Sequence, residues 1–368
     1  MISPKREFFM SLHNVSVKIK KEKRLNVSFI GGSVTEGYGS TDNSKKSWPV
    51  LLCQRLEKEY GIVVNCNNEG IGGTCSYLAN FRYDTDIAPQ APDLLFIEFA
   101  VNDMYHSTPY ETVVRNSESL IGKAYRQNPN MDIIYILTYD LHDETNDYLQ
   151  LKAHRDVADR YGLLSVKMSE YMYLHCAETG ENIQQHYIDF VHPNDHGYET
   201  YADIIFDVMK SNICMDPSSE EMIPHRFLHS GKGLILDARF LYCDEAEITA
   251  NTGWEFEKGC FSYMGNRYHG RLKADKPGSS FELCFTGTDL GIFYGADVNR
   301  GMVSISIDGG EPIVRDGYRW TSNPKEFPIA TYLSEGRHRA VFTLLDEKNE
   351  NSNSNFFEIG VFLVSDKN

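Results

Sequence analysis

Two patterns of hydrophobic residues follow one another along the chain, and the change between them lies near residue 212. Up to that point, short continuous apolar runs alternate with segments in which apolar residues recur every three or four positions. Such runs are typical of strands that are covered on both faces of a parallel sheet, and the periodic segments are typical of amphipathic helices. The alternation predicts a three-layer α/β/α domain over residues 25–212. Its predicted strands are 26–31, 62–67, 93–99, 132–138 and 163–167.

Turn and capping residues mark the ends of the predicted helices. One helix begins near Trp48 and ends at Gly61, because glycine adopts the left-handed conformation that closes a helix. Thr108–Glu111 (TPYE) is typical of a capping box with proline at the first helical position, and predicts a helix that continues to about residue 126. Two further helices are predicted from about 146 to 161, before a glycine, and up to about residue 211.

The second half of the chain has the pattern of an all-β domain. A polar stretch with a proline predicts a linker at 213–225, and short strand-like runs separated by glycine turns follow it. We predict a β-sandwich of the jelly-roll or galactose-binding-like kind over residues 226–368, and an N-terminal extension over residues 1–24. The strand-like runs are LILDARFLYC, SFELCFTG, LGIFYGA, VSISI, RAVFTLL and FFEIGVFLV.

Charge and composition exclude several classes of protein. The formal net charge of −16 argues against binding to nucleic acid or to an anionic membrane through a broad basic face. The one basic cluster, within 18–24, is short and interrupted by Glu22, so a solvated segment is expected there. No apolar run resembles a secretory signal or a membrane span, and the eight cysteines lack zinc-finger spacing. We therefore expect a cytoplasmic protein with mostly buried, reduced cysteines; the oligomeric state, including a homo-oligomer, is left open.

The stretch FIGGSVTEG ends the first predicted strand on two glycines and Ser33. Taken alone, it is more typical of a tight turn than of a nucleophile. However, the carboxyl ends of strands are where open α/β sheets carry their chemistry. Asn102, in FAVND after the third strand, is a candidate donor to an oxyanion, and the glycines of NNEGIGGT follow the second strand. The nucleophile and its stabilising donors are thus both represented at predicted strand ends.

A base for Ser33 is supplied by DFVHP, just before the last helix. Asp189 and His192 are close enough in sequence to share one loop and to pair through Nδ1, which leaves Nε2 of His192 free to face Ser33. Each piece has a simpler alternative, since Asn102-Asp103 is typical of a helix cap and His-Pro of an ordinary loop. Four such pieces in this order, three of them at strand ends, favour an esterase over an inert α/β domain.

These residues resemble the four sequence blocks of the SGNH (GDSL-like) hydrolase superfamily over about residues 24 to 211. The first block matches Gly31–Thr35 (GGSVT), and the D-x-x-H block matches Asp189 and His192. The second block implies that Gly73 contributes a backbone N–H to the oxyanion hole. The third, normally G-x-N-D, is AVND here, with alanine in place of glycine and Asn102 retained.

The resemblance implies a serine esterase with Ser33, His192 and Asp189 as its catalytic residues. The oxyanion hole would consist of the backbone N–H groups of Ser33 and Gly73 together with Asn102. No metal or organic cofactor is expected. Asp195 and His196, beside His192, are interpreted as caps of the last helix rather than as metal ligands.

The second domain bears on the substrate. Its segment 285–310 resembles galactose-binding-like and carbohydrate-binding β-sandwiches, and the pair of domains resembles two-domain carbohydrate acetylesterases, including intracellular ones that act on manno- or xylo-oligosaccharides. An acetylated oligosaccharide is therefore the expected substrate. Tyr318 and Trp320, in the polar segment 316–324, are candidate sugar-stacking residues, as are Trp48 and Trp254. The alternatives are a lipid or thioester hydrolase of the same superfamily and a non-catalytic glycan-binding protein.

Overall fold

A computed structural model describes residues 12–143, 147–217, 219–259 and 270–365 of the chain. The chain divides into two compact units. One contains Met1–Ala79 and Tyr83–Ser230, and the other contains Gly231–Asn368 together with Asn80–Arg82. Of the predicted features, Cys260 and residues 1–11 of the N-terminal extension lie outside the described residues.

The first unit is built on a five-stranded parallel sheet, as predicted. Its strands pair in the order β2-β1-β3-β4-β5. β1 is an interior strand, so its carboxyl end lies between the two neighbouring strands, where Gly31 pairs with Gly70 on one side and with Glu98 on the other. The strands are β1 Arg24–Gly31, β2 Val63–Gly70, β3 Leu94–Glu98, β4 Asp132–Leu137 and β5 Leu164–Lys167.

Helices cover both faces of this sheet because successive strand residues point to opposite sides. Phe96 packs in one core, with α1, α4 and α10, while its neighbour Ile97 packs in the other, with α7 and α8. The three-layer α/β/α prediction is therefore confirmed. The helices are α1 His13–Glu22, α2 Ser33–Glu36, α3 Asn43–Lys46, α4 Trp48–Tyr60, α5 Ser76–Arg82, α6 Ala100–Tyr105, α7 Tyr110–Gln127, α8 Leu149–Tyr161, α9 Met168–Thr179 and α10 Asp195–Asn212, with 3₁₀ turns at Ala88–Gln90 and Ile183–His186 and a π-helical turn at Tyr83–Ile87.

The helix ends agree with the sequence pattern at two glycines but not at the predicted capping box. Gly61 and Gly162 follow α4 and α8 with φ of +59° and +64°, the left-handed conformation that glycine favours. At α7, however, the residue before the helix is Pro109, and no side chain caps the helix there. The predicted capping box is therefore wrong, although the helix itself is present.

The described residues of the predicted N-terminal extension and linker belong to the first unit and contact each other. Residues 13–22 form α1, which buries Val15 and Ile19 in the core of the sheet. Within the predicted linker, the Ile223 carbonyl accepts a hydrogen bond from the Asn14 amide at 2.9 Å. Lys20 of the basic cluster forms an ion pair with Glu220 at 3.0 Å. The segment after α10 is thus bound back onto α1.

The second unit consists of antiparallel β-sheets, in agreement with the predicted all-β sandwich. A five-stranded sheet has the order β13-β12-β15-β10-β7, a four-stranded sheet the order β14-β11-β17-β6, and a three-stranded sheet the order β16-β9-β8. The strands are β6 Ala238–Tyr242, β7 Glu247–Thr252, β8 Glu255–Lys258, β9 Gly270–Ala274, β10 Ser280–Thr286, β11 Asp289–Ala296, β12 Met302–Ile307, β13 Ile313–Asp316, β14 Asn323–Ala330, β15 Arg337–Leu344, β16 Phe357–Ile359 and β17 Val361–Ser365.

Burial decides which tryptophans are available as sugar platforms. Trp48 is fully buried against Phe29 and Phe96 in the α/β core, and Trp254 packs edge-on against Phe281 inside the sandwich. Neither offers a face to a ligand, so the suggestion of a platform is wrong for these two. Trp320, by contrast, is 80% exposed.

Cysteines and hydropathy add two further facts. Among the described residues no disulfide is formed, and Cys53, Cys75, Cys176 and Cys243 are buried, whereas Cys66 and Cys214 are exposed. Within the described part of the chain, no helix combines the length and apolarity that crossing a membrane requires.

Candidate active site

The turn from β1 into α2 places Ser33 at the carboxyl end of β1. Gly32 has φ of −88°, a value open to any residue, so its role is not conformational freedom. The reason is space: a Cβ at Gly32 would lie 2.3 Å from Oδ1 of Asn102, and one at Gly31 would lie 2.2 Å from Oγ1 of Thr35. The two glycines therefore allow neighbouring side chains to approach the backbone that carries Ser33.

Ser33, His192 and Asp189 form a continuous hydrogen-bonded series. Oγ of Ser33 is 2.8 Å from Nε2 of His192, and Nδ1 of His192 is 2.7 Å from Oδ2 of Asp189. Since the carboxylate is an acceptor, Nδ1 carries the ring proton, and Nε2 is left to accept from the serine hydroxyl. The structure thus brings together the three residues that the sequence had suggested, although they come from two distant segments.

The loop that carries His192 is held by the same carboxylate. Oδ1 of Asp189 accepts hydrogen bonds from the backbone N–H groups of Val191 and His192, both at 2.8 Å. Burial raises the pKa of Asp189, but the hydrogen bonds from Val191 and His192 outweigh burial and leave that pKa below its usual value. Asp189 is therefore ionised near neutral pH and both shapes the loop and orients the imidazole.

The Asn102 amide lies beside Gly32, as an oxyanion donor requires. The residue is only 7% exposed, and its Oδ1 has no hydrogen-bond partner among the described residues. Buried amides normally find partners, and one next to a nucleophile is placed to donate to a reacting oxygen. Asn102 and Asp103 lie inside α6 rather than ahead of a helix, so the alternative interpretation of this pair as a cap is wrong.

The glycine-rich segment after β2 also lies against the nucleophile. A Cβ at Gly72 would be 3.5 Å from Cβ of Ser33, and the Gly72 backbone N–H donates to Oε2 of Glu36 at 2.9 Å. Gly73 has φ of +74°, which favours glycine, and it forms part of the turn that leads into α5. Glu36, three residues after Ser33, thus fixes this turn relative to the nucleophile.

Asp103 connects the two segments that carry the candidate oxyanion donors. Its Oδ1 accepts from the backbone N–H of Ser76 at 3.1 Å, and its Oδ2 is 2.8 Å from Nε2 of His154. The other ring nitrogen of His154 is 3.0 Å from Oγ of Ser117, and all three side chains of this series are buried. One buried carboxylate therefore fixes the start of α5 relative to α6. Sequence reasoning missed this, because the partners are 27 and 51 residues from Asp103.

Glu98, at the end of β3, lies under the turn that carries Ser33. Its carboxyl group is fully buried and accepts from the Gly32 N–H at 3.2 Å and from the hydroxyl groups of Thr35 at 2.9 Å and Thr138 at 2.7 Å. Burial raises the pKa of Glu98 to about 7, and the hydrogen bonds limit the rise. Sequence reasoning missed Glu98 because it reads as one polar residue within an apolar strand.

The raised pKa of Glu98 predicts how the stability of the fold depends on pH. A carboxyl group that ionises near 7 when folded and near 4.5 when unfolded stabilises the fold fully below pH 4.5, and this contribution is lost as the pH rises towards 7. Glu98→Gln resembles the neutral acid and escapes this loss. As the pH rises from 5 to 8, we expect the free energy of unfolding of the variant to increase by on the order of 3 kcal/mol relative to that of the parent protein.

Chemical unfolding at both pH values measures this difference. The exposed Glu111→Gln is the matched control and is expected to run parallel to the parent protein. If the free energy of unfolding of Glu98→Gln changes with pH in the same way as that of the parent protein, the prediction is wrong.

Exposed aromatic side chains border the His192 loop. The Tyr38 ring stands edge-on to the His192 ring, with centroids 4.7 Å apart, and Tyr38 is 57% exposed. Phe190, two residues before His192, packs against His142 and is 51% exposed. The Tyr105 hydroxyl donates to the carboxylate of Asp140. Sequence reasoning did not single out these residues, of which Tyr38 contacts the His192 ring directly.

The sequence also singled out two residues of the second unit and two residues near the start of α10. Tyr318 and Trp320 belong to the second unit, between β13 and β14, where Tyr318 is half-buried and Trp320 exposed. The residue that caps α10 is Asn194, whose side chain accepts from the Gly197 N–H at 3.0 Å. Asp195 instead pairs with Lys46 at 2.6 Å, so the interpretation of Asp195 and His196 as caps is wrong by one residue.

Comparison with known proteins found a family model that matches part of the first unit. The model of the GDSL-like lipase/acylhydrolase family matches residues 29–200, while no curated protein matches the chain. Among solved structures, a two-domain esterase (CEX) active on acetylated mannans is 20% identical, with a TM-score of 0.84 over 97% of this chain and 96% of that chain. The same esterase co-crystallised with mannopentaose gives 0.80 at the same identity and coverage.

An acetylxylan esterase from Geobacillus stearothermophilus, Axe2, is also similar. It is 16% identical, with a TM-score of 0.42 over 53% of this chain and 97% of that chain. At these identities, the likeness to the two-domain esterase shows that the two proteins share a fold.

Proposed function

We propose that the protein is a serine esterase that removes acetyl groups from acetylated oligosaccharides, on the premise that residues 29–200 match the model of the GDSL-like lipase/acylhydrolase family. The observation that carries the proposal is the series from Oγ of Ser33 through His192 to Asp189, with separations of 2.8 and 2.7 Å. A serine hydroxyl bonded to a histidine that a carboxylate orients is the arrangement that activates a nucleophile. An inert domain has no need of such a series at a strand end.

The reaction proceeds by acyl transfer in two steps. Oγ of Ser33 attacks the acetyl carbonyl carbon while Nε2 of His192 takes the hydroxyl proton, and Asp189 stabilises the resulting imidazolium. The tetrahedral intermediate collapses, and the imidazolium protonates the departing sugar oxygen, which leaves an acetyl group on Ser33. His192 then takes a proton from water, the hydroxide attacks the acyl-enzyme, and acetate is released with the proton returned to Ser33.

The charge that develops on the carbonyl oxygen requires donors that are already in place. We assign this role to the Asn102 amide, which lies beside Gly32, and to the backbone N–H groups of Ser33 and Gly73. Glu36, Glu98 and Asp103 touch no reacting atom in this scheme. They position the turns that carry the donors and the nucleophile.

The proposed substrate class, manno- or xylo-oligosaccharides, is supported by the whole-chain likeness to CEX, which is active on acetylated mannans. A β-sandwich with an exposed tryptophan gives a second, independent reason, because indole faces stack on sugar rings. A lipid or thioester hydrolase is the main alternative, since the family name covers lipases as well.

A series of p-nitrophenyl esters tests the reaction and its acyl preference. We expect the acetate to have the highest kcat/KM, with values that fall as the acyl chain lengthens, and release of acetate from acetylated manno- or xylo-oligosaccharides. A preference for octanoate would support the lipase alternative. If neither the activated esters nor the oligosaccharides are hydrolysed while glycans still bind, the protein is a glycan-binding protein and the proposal fails.

Trp320 provides a prediction about the sandwich. If its exposed indole stacks on a sugar, Trp320→Ala should lower kcat/KM for an acetylated oligosaccharide by about 3- to 10-fold and leave hydrolysis of p-nitrophenyl acetate unchanged. Tyr332→Ala, which removes another exposed ring of the same unit, is the control and should affect neither substrate. Equal rates for Trp320→Ala and the parent protein on the oligosaccharide would exclude this role.

A further inference from the structure

Three histidines surround one carboxylate oxygen where α9, the 3₁₀ turn Ile183–His186 and α10 meet. Oε2 of Glu181 lies 3.3 Å from Nε2 of His175, 3.0 Å from Nε2 of His186 and 3.3 Å from Nε2 of His196. The ligand atoms of His175, Glu181 and His186 all lie within 4.8 Å of one another. None of these side chains takes part in the proposed esterase mechanism.

These separations match those between ligands of one metal ion, and the 3.3 Å contacts of Oε2 with His175 and His196 also have hydrogen-bond geometry. Ligand atoms about 2.0–2.1 Å from a tetrahedral zinc ion stand about 3.3 Å from each other. A charge-assisted hydrogen bond between an imidazolium and a carboxylate is shorter, about 2.7–2.9 Å. The Glu181 oxygen is therefore at the distance from His175 and His186 that a shared ion would impose.

The buried member of the cluster points to the ion most directly. His186 is fully buried, yet its Nε2 has no hydrogen-bond partner in the described part of the chain, although the Glu181 oxygen is only 3.0 Å away. The oxygen must therefore lie off the axis along which a ring N–H would point. Ligands of one metal ion have this relation, because each is aimed at the ion and not at its neighbour.

The tautomer of His186 agrees with this interpretation. The Thr200 hydroxyl donates to the His196 carbonyl at 3.0 Å, so the Thr200 oxygen accepts from Nδ1 of His186 at 3.3 Å. The ring proton then resides on Nδ1, and Nε2 presents a lone pair to a carboxylate oxygen. Two lone pairs at this distance repel unless a cation lies between them. A partner on the second ring nitrogen is also the usual support of a metal-bound histidine.

We propose that His175, Glu181 and His186 bind a zinc ion, with water in the fourth position. Two imidazoles and one carboxylate are a donor set that zinc accepts. His196 is not assigned as a ligand, because its ring stacks on that of His186 at 4.3 Å with an interplanar angle of 22°. The lone pairs of two stacked rings run side by side, so they do not converge on one ion.

The position of the site suggests what the ion does. The chain between His186 and Asn194 forms the loop that carries Asp189 and His192, and the Asn194 N–H closes the loop by donating to the His186 carbonyl at 2.9 Å. An ion held by His175 and Glu181 would connect the end of α9 to the base of this loop. The zinc is therefore a brace for the loop, and binding it does not depend on whether the protein is an esterase.

Zinc binding to the full-length protein tests the assignment without an activity measurement. After treatment with a chelator and its removal, calorimetric titration with Zn²⁺ should show one ion per chain and raise the unfolding temperature on the order of 5 °C. His175→Ala and Glu181→Gln change partly exposed side chains, so both variants should fold. Each should weaken zinc binding at least about 100-fold.

His196→Asn is the matched control, since it removes the neighbouring imidazole and should retain the zinc. The proposal is overturned if the parent protein binds no zinc, or if His175→Ala and Glu181→Gln bind it as tightly as the parent. Loss of binding in His196→Asn equal to that in His175→Ala would overturn the assigned ligand set.

Hydrogen exchange tests the brace. Zinc should slow amide exchange in peptides that span residues 183–196 by about 10-fold or more and leave α7 unchanged, because closing the base of the loop suppresses its local opening. If stoichiometric zinc leaves exchange in 183–196 unaltered, the ion binds but does not brace the loop.

Discussion

Ser33→Ala will lower kcat for a small acetate ester by about 10⁴- to 10⁶-fold and leave the protein folded. The hydroxyl of Ser33 is the atom that attacks, and the 2.8 Å contact with Nε2 of His192 has no other evident use. Ser33 is partly exposed at the end of β1, so removing one oxygen creates no cavity in the core. The loss should therefore appear in kcat and not in the unfolding temperature.

Steady-state kinetics with p-nitrophenyl acetate, together with circular dichroism, measure both quantities. Ser40→Ala is the matched control, because it removes a hydroxyl from the same loop that bonds only the Gly37 carbonyl. A double variant with His192→Ala should be no slower than Ser33→Ala alone, since the two residues act as one unit. If Ser33→Ala retains most of the activity, the assignment of Ser33 as the nucleophile is wrong.

Asn102→Ala should lower kcat by about 10²- to 10³-fold with a smaller change in KM. The Asn102 amide lies beside the turn that carries Ser33, and its Nδ2 group is the donor that we assign to the oxyanion. This charge exists only in the transition state and the intermediate, and for that reason the loss falls on kcat.

Two further variants separate the loss of the hydrogen-bond donor from a change in the shape of the Asn102 side chain. Asn102→Asp keeps the outline of the side chain but replaces the donor with a negative charge, and it should be at least as slow as Asn102→Ala. Gly32→Ala leaves the amide intact but directs a methyl group at it, 2.3 Å from Oδ1, and should also lower kcat by displacing the donor. A rise in KM alone for Asn102→Ala would mean that the residue binds the ground state.

The comparison of predicted with observed strands shows which strands a hydrophobic pattern can predict. β3 and β4 were predicted within one residue, because both faces of these strands are buried and all but one residue in each is apolar. β7, β8, β13 and β14 were not predicted; each pairs with a single neighbour, and their residues are mostly exposed or only partly buried. An edge strand buries little, so its sequence need not be apolar, and β14 even contains two prolines. The last predicted run is divided at Gly360, since β16 and β17 belong to different sheets.

For the candidate site as well, local sequence predicted some features and distant residues determined the others. Asp189 and His192 are three residues apart, and Ser33 directly follows a buried strand, so local sequence was enough to propose them. Their hydrogen-bonded geometry was not available locally, because Ser33 and His192 are 159 residues apart. The catalytic roles themselves stay predictions until the variants above are measured.

Sequence by itself determined the parallel α/β unit, the all-β unit and the identity of the residues proposed for catalysis, because burial and turn chemistry are written into neighbouring positions. Only the tertiary structure decided what Glu98 accepts from, which segments Asp103 joins, and that His175, Glu181 and His186 converge. Each of these depends on side chains from separate elements that meet in space. A buried carboxylate or imidazole acquires its properties from such neighbours, and the order of residues along the chain does not contain them.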